Sequence, residues 1–316
     1  MKSKIHIITG VAGFIGSKLA GSLLKDGYTI LGIDNFMLGT LENINYLKKL
    51  STNFHFFEKD LSEYKNLDGL IKDLNQFGDI DCIWHLAANS DISGSVDALS
   101  IDLENTFFTT ISTGILCEKL NIKEVVFSSS SAVLGTVPIK ISEEHGPLLP
   151  ESYYGAMKLA SESYLSALKT YTIDKYTFFR FPNVIGKDTT HGIVYDFKNK
   201  LSSKPQYLNV LGDGNQKKPY LYIDDLVEGM IELRNVNFEN RIFNLSPLDS
   251  GITVREIAEI AVNILSPKTV PKYEEKSFGW PGDVTRYEYN TEKLIKTGWK
   301  PKFTSEEAIR KSFEIT

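Results

Sequence analysis

Apolar positions in the first half of the chain alternate between short continuous runs and longer stretches with helical spacing. The runs end at glycine, aspartate or serine, as buried strands often do. They predict strands at Ile5–Thr9, Tyr28–Ile33, Phe54–Phe57, Cys82–Leu86, Glu124–Phe127 and Tyr176–Phe181. The helical stretches predict helices at Phe14–Lys25, Tyr64–Phe77, Val96–Leu120 and Ser152–Tyr171. This alternation predicts an α/β fold with a doubly wound parallel sheet that is covered on both faces.

The pattern changes after Pro182, where glycine, proline and loop residues become more frequent. A strand is predicted at Arg241–Leu245, and the helices predicted here are Asp224–Arg234, Val254–Ile264, Thr291–Ile295 and Ser305–Phe313. We expect residues 1–181 and about 216–247 to form one domain. Residues of about 182–215 and 248–316 are expected to form a smaller C-terminal substrate-binding domain.

Composition excludes several classes of protein. Of the 316 residues 42% are hydrophobic and 24% charged, and the net charge is −5, as in a globular protein without a basic surface for nucleic acid. Cys82 and Cys117 form no CxxC pair, so we expect buried thiols in a reducing compartment. The five histidines lack metal-ligand spacing, and no apolar stretch is long enough to span a membrane. The first strand leaves no room for a signal peptide, which favours the cytoplasm.

A glycine-rich turn follows the first predicted strand. Gly10, Gly13 and Gly16 are spaced as GxxGxxG, and Phe14 and Ile15 begin the following helix. Glycine permits the turn and the close approach of a pyrophosphate, which would bind at the helix N-terminus. The position between strand and helix favours a Rossmann-type dinucleotide site over an ordinary turn.

The second strand is followed by Asp34. A carboxylate at this place accepts hydrogen bonds from an adenosine ribose and repels a 2′-phosphate. No arginine follows it in residues 33–40, so NAD is favoured over NADP. The alternative is an aspartate that begins a polar turn, which Asn35 and Gly39 would also suit.

Tyr154 and Lys158 are four positions apart, which places both side chains on one face of a helix. A neighbouring ammonium favours the phenolate and is expected to lower the tyrosine pKa, which would make a general base for an alcohol. Such pairs also occur by chance, and Tyr153 is an alternative exposed phenol. The serine run at residues 128–131 either supplies a catalytic hydroxyl or only satisfies backbone groups in a turn.

Taken together, these residues resemble the extended short-chain dehydrogenase/reductases, in their branch of NAD-dependent, UDP-glucose 4-epimerase-like nucleotide-sugar epimerases and dehydratases. The resemblance covers nearly the whole chain. The matching segments are Thr9–Gly16, Asp34–Asn35, Asp60–Leu61, His85–Ala88, Ser128–Gly135, Tyr154–Lys158, Arg180–Asn183, Leu211–Asp225 and Trp280–Asp283.

The resemblance implies that Tyr154 is the base, that Lys158 lowers its pKa and binds the nicotinamide ribose, and that Ser130 holds the substrate oxygen. Ser131 is the alternative to Ser130. The implied NAD contacts are Gly10, Gly13, Phe14, Ile15, Gly16, Asp34, Asn35, Asp60, Leu61, Leu86, Ala87, Ala88, Ser128, Tyr154, Lys158 and Pro182. Substrate binding is implied for Ser130, Asn183 and Lys218. Trp280 stands where the family often has a phosphate-binding arginine, and Arg286 or Lys218 could replace it.

One departure from the family pattern bears on the reaction. Dehydratases of this branch carry Asp-Glu after the catalytic hydroxyl, and here those positions are Ser131 and Ala132. The resemblance therefore implies 4-epimerisation of a nucleotide diphosphate sugar through a 4-keto intermediate, with the substrate between the domains. The alternatives are a 4-dehydrogenase or reductase that releases the keto sugar, and a non-catalytic NAD(H)-binding regulator.

The resemblance also implies a homodimer. The helices at Val96–Leu120 and Ser152–Tyr171 would pair with their copies in a four-helix bundle. Apolar residues on several sides of the first of these helices fit this arrangement, but the chain's own sheet could also cover them.

Overall fold

The computed structural model describes residues 4–91, 99–137, 140–276 and 287–314. The chain divides into two compact units. The first comprises Met1–Val133, Ser152–Arg180 and Asn237–Ile242, and the second comprises Leu134–Glu151, Phe181–Val236 and Phe243–Thr316. The bounds of these units differ from those of the predicted domains, because Leu134–Glu151, Phe181, residues 216–236 and residues 243–247 belong to the second unit. Which unit binds cofactor and which binds substrate stays a prediction.

The strands confirm the predicted alternation. In chain order they are Ile5–Thr9 (β1), Thr29–Asp34 (β2), Phe54–Glu58 (β3), Cys82–His85 (β4), Glu124–Ser128 (β5), Lys175–Arg180 (β6), Asn183–Ile185 (β7), Tyr207–Val210 (β8), Lys217–Lys218 (β9), Tyr220–Tyr222 (β10), Ile242–Asn244 (β11), Ile252–Thr253 (β12) and Val270–Tyr273 (β13). A seven-stranded sheet has the order β11-β6-β5-β4-β1-β2-β3. Its pairs from β6 to β3 are all parallel.

The helices follow the strands as the doubly wound pattern requires. They are Phe14–Lys25 (α1), Leu41–Leu50 (α2), Asp68–Asn75 (α3), Leu99–Asp102 (α4), Thr109–Lys119 (α5), Tyr153–Tyr171 (α6), Gly192–Ser202 (α7), Ile223–Leu233 (α8), Val254–Leu265 (α9), Glu292–Lys296 (α10) and Ser305–Phe313 (α11). In the first unit α3, α5 and α6 pack on one face of the sheet. Leu74, Leu116 and Leu165 contribute one buried side chain each from these helices to the core there.

The predicted long helix at Val96–Leu120 is divided in the structure. A π-helical turn at Leu103–Phe108 separates α4 from α5, and residues 92–98 lie outside the described residues. Threonine hydroxyls hydrogen-bond to a backbone carbonyl at this turn. Thr109 Oγ1 and Thr110 Oγ1 both donate to Thr106 O, at 2.8 and 3.0 Å. Threonine side chains compete in this way with regular helical bonding.

The second unit contains short strands in pairs. Strand β7 pairs in parallel with β10, β8 pairs in parallel with β13, and β9 pairs antiparallel with β12. Helices α9 and α11 begin at capping boxes formed by Thr253 with Glu256 and by Thr304 with Glu307, which fix their N-termini. None of the helices in the described ranges has the length and apolar content that a bilayer crossing needs.

Candidate active site

The glycine turn has the geometry that a pyrophosphate site requires. Gly10 has φ +71°, and a Cβ placed on Gly16 would lie 2.1 Å from the backbone oxygen of Gly10. Gly13 is the N-cap of helix α1, and within the described chain no side chain caps this end. The backbone N–H groups of Phe14 and Ile15 therefore lie at a free helix N-terminus. Only glycine at position 16 allows this end of the helix to pack so closely against the turn. The turn fits a dinucleotide.

Asp34, at the end of β2, supports the same turn. Its Oδ2 accepts from Ala12 N at 2.9 Å and its Oδ1 from Phe36 N at 2.8 Å. Burial raises the pKa of Asp34, against the effect of these hydrogen bonds. Each oxygen keeps lone-pair capacity for a further donor. The carboxylate can therefore still accept hydrogen bonds from a ribose, as predicted, while it holds the turn through Ala12 and Phe36.

The predicted adenine contacts lie near Asp34. Asn35 is exposed, Asp60 is half-buried, and Leu61 is buried. Burial raises the pKa of Asp60, but hydrogen bonds from Ser62 and Asn35 outweigh it and bring the pKa below its usual value. The structure therefore brings Asn35, after β2, close to Asp60, after β3. Its role in binding adenine stays a prediction.

Thr9 positions the predicted floor of the cofactor site. Its Oγ1 accepts the backbone N–H groups of Leu86 and Ala87, each at 3.1 Å. Leu86, Ala87 and Ala88 are half-buried, and a Cβ on Gly10 would lie 2.8 Å from Ala87 N. The sequence analysis placed Thr9 in a motif but gave it no role. A hydroxyl at the end of the first strand is the signal that would have revealed it.

His85 is a site residue that the sequence analysis left without a role. Its Nδ1 lies 2.9 Å from Thr9 Oγ1, and its Nε2 lies 2.9 Å from Thr110 Oγ1. Because Thr9 Oγ1 already accepts two N–H groups, its proton goes to Nδ1, and His85 carries its own proton on Nε2. Burial, with the charge of Lys158, holds the pKa of His85 well below 6.5. The imidazole is therefore neutral in the fold.

This neutral histidine predicts a loss of stability in acid. Below pH 6.5 the unfolded chain binds a proton at His85 and the folded chain does not, so the free energy of unfolding falls as the pH decreases. The slope approaches about 1.4 kcal/mol per pH unit for one group. Urea unfolding of the wild type and His85→Asn between pH 5 and 8 measures it. The variant should lack this component, and curves of equal slope would contradict the assignment.

Helix α6 presents the predicted tyrosine and lysine to the interior. The Oγ of Ser152 accepts Gly155 N at 3.1 Å and caps the helix at its N-terminus. Tyr154 and Lys158 are 8% and 2% exposed, whereas Tyr153 is 48% exposed. The alternative phenol, Tyr153, therefore faces outward. The i, i+4 spacing brings the other two side chains to one buried face.

Ser130 follows β5 and meets this face. It lies beside Tyr154 and lowers the pKa of that phenol, and its Oγ accepts Ala132 N at 3.1 Å in the 3-10 turn Ser131–Val133. Ser128 is buried, with its Oγ donating to His85 O at 3.2 Å. The structure thus brings Ser130, Tyr154 and Lys158 together, as the sequence analysis expected, and pairs Tyr154 with Ser130.

The expected direction of the tyrosine pKa is not found. Burial raises the pKa of Tyr154 to about 12, and the hydrogen bond from Ser130 lowers it less. Burial also lowers the pKa of Lys158 to about 7. Lys158 Nζ donates to Ser128 O at 2.6 Å and lies 5.7 Å from the Tyr154 ring centroid. Helical spacing predicted that the two groups are neighbours, but desolvation is the largest influence on the pKa of each.

Two of the predicted substrate residues, Asn183 and Lys218, and the predicted cofactor contact Pro182 lie in the second unit. Pro182 is buried, and Asn183 begins β7 and is exposed. Lys218 is half-buried and pairs with Ile252 between β9 and β12. Arg286 and the segment Trp280–Asp283 lie outside the described residues. Substrate contacts for these positions stay predictions.

The predicted burial of both thiols is confirmed, since Cys82 and Cys117 are buried. Burial raises the pKa of Cys117 to about 12, so this thiol is a poor nucleophile. In the portion of the chain that the structure describes, no cluster of three or more His, Cys, Asp or Glu side chains could hold a metal ion.

Comparison with known proteins agrees with this geometry. Residues 6–246 match the model of the NAD dependent epimerase/dehydratase family. The UDP-glucose 4-epimerase of Mycolicibacterium smegmatis is 28% identical, over 98% of this chain and 97% of its own. A Thermus thermophilus UDP-glucose 4-epimerase complex with NAD has 28% identity and a TM-score of 0.84, covering 98% and 97% of the two chains. A UDP-N-acetylglucosamine 4-epimerase from Methanobrevibacter ruminantium has 29% identity and a TM-score of 0.84, covering 99% and 98%.

Proposed function

Because the chain belongs to the NAD dependent epimerase/dehydratase family, we propose that it is a nucleotide-sugar 4-epimerase. The observation that carries this proposal is the buried group of Ser130, Tyr154 and Lys158 on the unit that holds the glycine turn. Retention of all three side chains argues against a non-catalytic NAD(H)-binding regulator, which has no use for a buried acid–base pair.

The chain's own residues would carry the proton chemistry. Ser130 would donate a hydrogen bond to the C4 oxygen of the sugar and hold it beside Tyr154. The Tyr154 phenolate oxygen would take the hydroxyl proton, while Lys158 as an ammonium would stabilise the negative charge on that oxygen. Bound NAD supplies a hydride acceptor, so that the C4–H and O–H bonds break and a C4 ketone forms.

Epimerisation requires the same residues in reverse. Once the keto sugar presents its other face, Tyr154 would give its proton back to the C4 oxygen, and the bound cofactor would supply the hydride. The atoms and electrons of the sugar are then unchanged, and only the configuration at C4 differs. No external oxidant is consumed, which fits a site whose acid–base group is buried and returns to its starting state.

The residues after Ser130 favour epimerisation over dehydration. Loss of water needs a further acid and base near the sugar, and the dehydratase positions hold Ser131 and Ala132. An alanine methyl cannot transfer a proton, and an unperturbed serine hydroxyl is a poor acid or base at neutral pH. The relatives reported above, which are named as UDP-sugar 4-epimerases, support the same choice and place UDP sugars first among the substrates to test.

A panel of UDP, dTDP, GDP and CDP sugars, incubated with the purified protein, tests the proposal. Proton NMR of the products should show the C4 epimer at equilibrium with its substrate and no stoichiometric use of NAD. Release of a 4-keto sugar with equal reduction of NAD would identify a dehydrogenase instead. Failure of every sugar to react, with NAD still bound, would contradict an enzymatic role.

We also propose that the chain forms a homodimer through the π-helical turn Leu103–Phe108, α5 and α6. Leu103 is 38% exposed, while Phe107, Phe108, Ile111 and Ile115 are only half-buried in a single chain. Burial of such a helix surface against a copy would remove this apolar area from water. Sedimentation velocity measures the mass, and a monomer at micromolar concentration would contradict this assembly.

A further inference from the structure

Glu162 is a buried carboxylate on the same face of α6 as the catalytic pair. It follows Lys158 by four residues and Tyr154 by eight, and it is 5% exposed. Its Oε1 accepts Arg180 Nε at 2.9 Å, and its Oε2 accepts Arg180 Nη2 at 2.6 Å. Its Oε1 also accepts the Oγ of Ser129 at 2.5 Å. A buried charge held by so many donors is fixed in position.

The partners of Glu162 come from different elements. Ser129 immediately precedes Ser130 in the turn after β5, and Arg180 ends β6. The carboxylate therefore joins the catalytic helix to the serine turn and to the adjacent strand of the sheet. Since Ser130 must meet Tyr154 with a correct hydrogen-bond distance, this link bears directly on the geometry of the acid–base group.

Glu162 also acts on Lys158 through its charge. Burial lowers the pKa of Lys158, and the attraction of Glu162 opposes that shift. The Nζ group donates to Ser128 O and lies 4.7 Å from the Phe127 ring centroid. Neither of these neighbours carries a negative charge.

The other titratable groups on the elements packed around α6 do not supply this negative charge. His85 on β4 is neutral, Asp102 on α4 acts on Tyr154, and Glu104 on the π-helical turn is exposed. Cys117 and Glu118 on α5 act on Tyr164, further along α6. Glu162 is therefore the carboxylate that opposes the cost of burying the ammonium.

We propose that Glu162 is a positioning residue for the acid–base group: it keeps Lys158 in its ammonium form and anchors the serine turn so that Ser130 meets Tyr154. This role rests on the proposed function, because the protonation of Lys158 matters only if Tyr154 exchanges protons with a substrate. The test therefore reads Lys158 itself, in protein without sugar, and the catalytic consequence is a separate measurement.

Glu162→Gln removes the charge but keeps an oxygen that can accept from Ser129 and Arg180. In protein labelled with [13C]lysine, the 13Cε signal of Lys158 is assigned by its absence from Lys158→Met and followed against pH. The pKa of Lys158 should fall by about 1 to 3 pH units in the variant. In active protein, the alkaline limb of the kcat profile should move to lower pH by the same amount.

Two variants separate charge from anchoring. Ser129→Ala keeps the carboxylate and removes one anchor, so the pKa of Lys158 should stay at its wild-type value while kcat falls. Glu118→Gln alters an exposed glutamate that pairs with Lys119 on α5, and it should change neither quantity. A shift in Ser129→Ala equal to that in Glu162→Gln would overturn the charge role.

Leaving Arg180 unpaired in the interior could prevent folding of Glu162→Gln. The double variant Glu162→Gln with Arg180→Met removes both charges, and the pKa of Lys158 should still fall, by less than in Glu162→Gln, because loss of the Arg180 cation offsets part of the loss of the carboxylate. An unchanged pKa of Lys158 in either folded variant overturns the proposal. Absence of epimerase activity in the wild type, with the Lys158 shift intact, would instead contradict the proposed function alone.

Discussion

Tyr154→Phe should lower kcat of the proposed epimerase by about 10²- to 10⁴-fold, the range that general acid–base catalysis supplies. The phenol oxygen is the group that would take the sugar proton, and phenylalanine keeps the ring in its buried place. NAD binding should persist, because the glycine turn and Asp34 are untouched. Isothermal titration with NAD and product NMR with the active nucleotide sugar measure the two quantities.

The neighbouring phenol provides a matched control. Tyr153 is 48% exposed, and Tyr153→Phe removes the same atom from the adjacent helical position. Its kcat should stay within about twofold of the wild type, since surface substitutions of this kind change little. Equal, measurable activities in Tyr154→Phe and the wild type would exclude the phenol as the base.

Gly16→Ala should lower the free energy of unfolding by about 3 kcal/mol, the upper part of the range for forced overpacking. The added methyl would lie 2.1 Å from Gly10 O and 2.9 Å from Gly10 C, and both are backbone atoms. Gly10 N donates to Ile33 O at 2.8 Å, so the turn is also fixed to β2. Urea unfolding measures the loss, and NAD titration should show no saturation at concentrations that saturate the wild type.

Gly21 lies in the same helix and gives the opposite expectation. A Cβ there would lie 3.7 Å or more from the side chains of Tyr46, Leu47 and Leu50, an ordinary contact distance. Gly21→Ala should therefore stabilise the protein by up to about 1 kcal/mol through helix propensity. Equal free energies of unfolding for the two alanine variants would show that the close approach at Gly16 does not make alanine destabilising there.

The parallel sheet and the first-unit helices other than α2 could be predicted because their signals are local. Strand β1 is found at Ile5–Thr9 and helix α1 at Phe14–Lys25, as the apolar pattern indicated. Helix α2 was missed because only Ile44 and Leu47 of its residues are buried, too few for a clear apolar stripe. The two- to four-residue strands of the second unit have no pattern of their own and depend on tertiary pairing.

The sequence predicted which residues form the site better than it predicted their pKa values. Motif spacing brought Ser130, Tyr154 and Lys158 together, because strand ends and helical turns fix those positions. The pKa values could not be predicted, since they depend on how deeply both groups are buried. Glu162 was missed although the same four-residue spacing, extended by one turn from Lys158, leads to it. The role of Glu162 can be inferred only from its hydrogen bonds with Ser129 and Arg180 in the structure.

Asp34 has a consequence for attempts to change the coenzyme preference of this protein. The usual exchange replaces such an acidic residue with a small or basic one so that a 2′-phosphate is accepted. Here that exchange would also release the Ala12 and Phe36 amides that the carboxylate holds. Selectivity and local folding thus depend on one side chain. A redesign would have to retain a short acceptor such as asparagine at this position and introduce the phosphate-binding cation from a neighbouring residue.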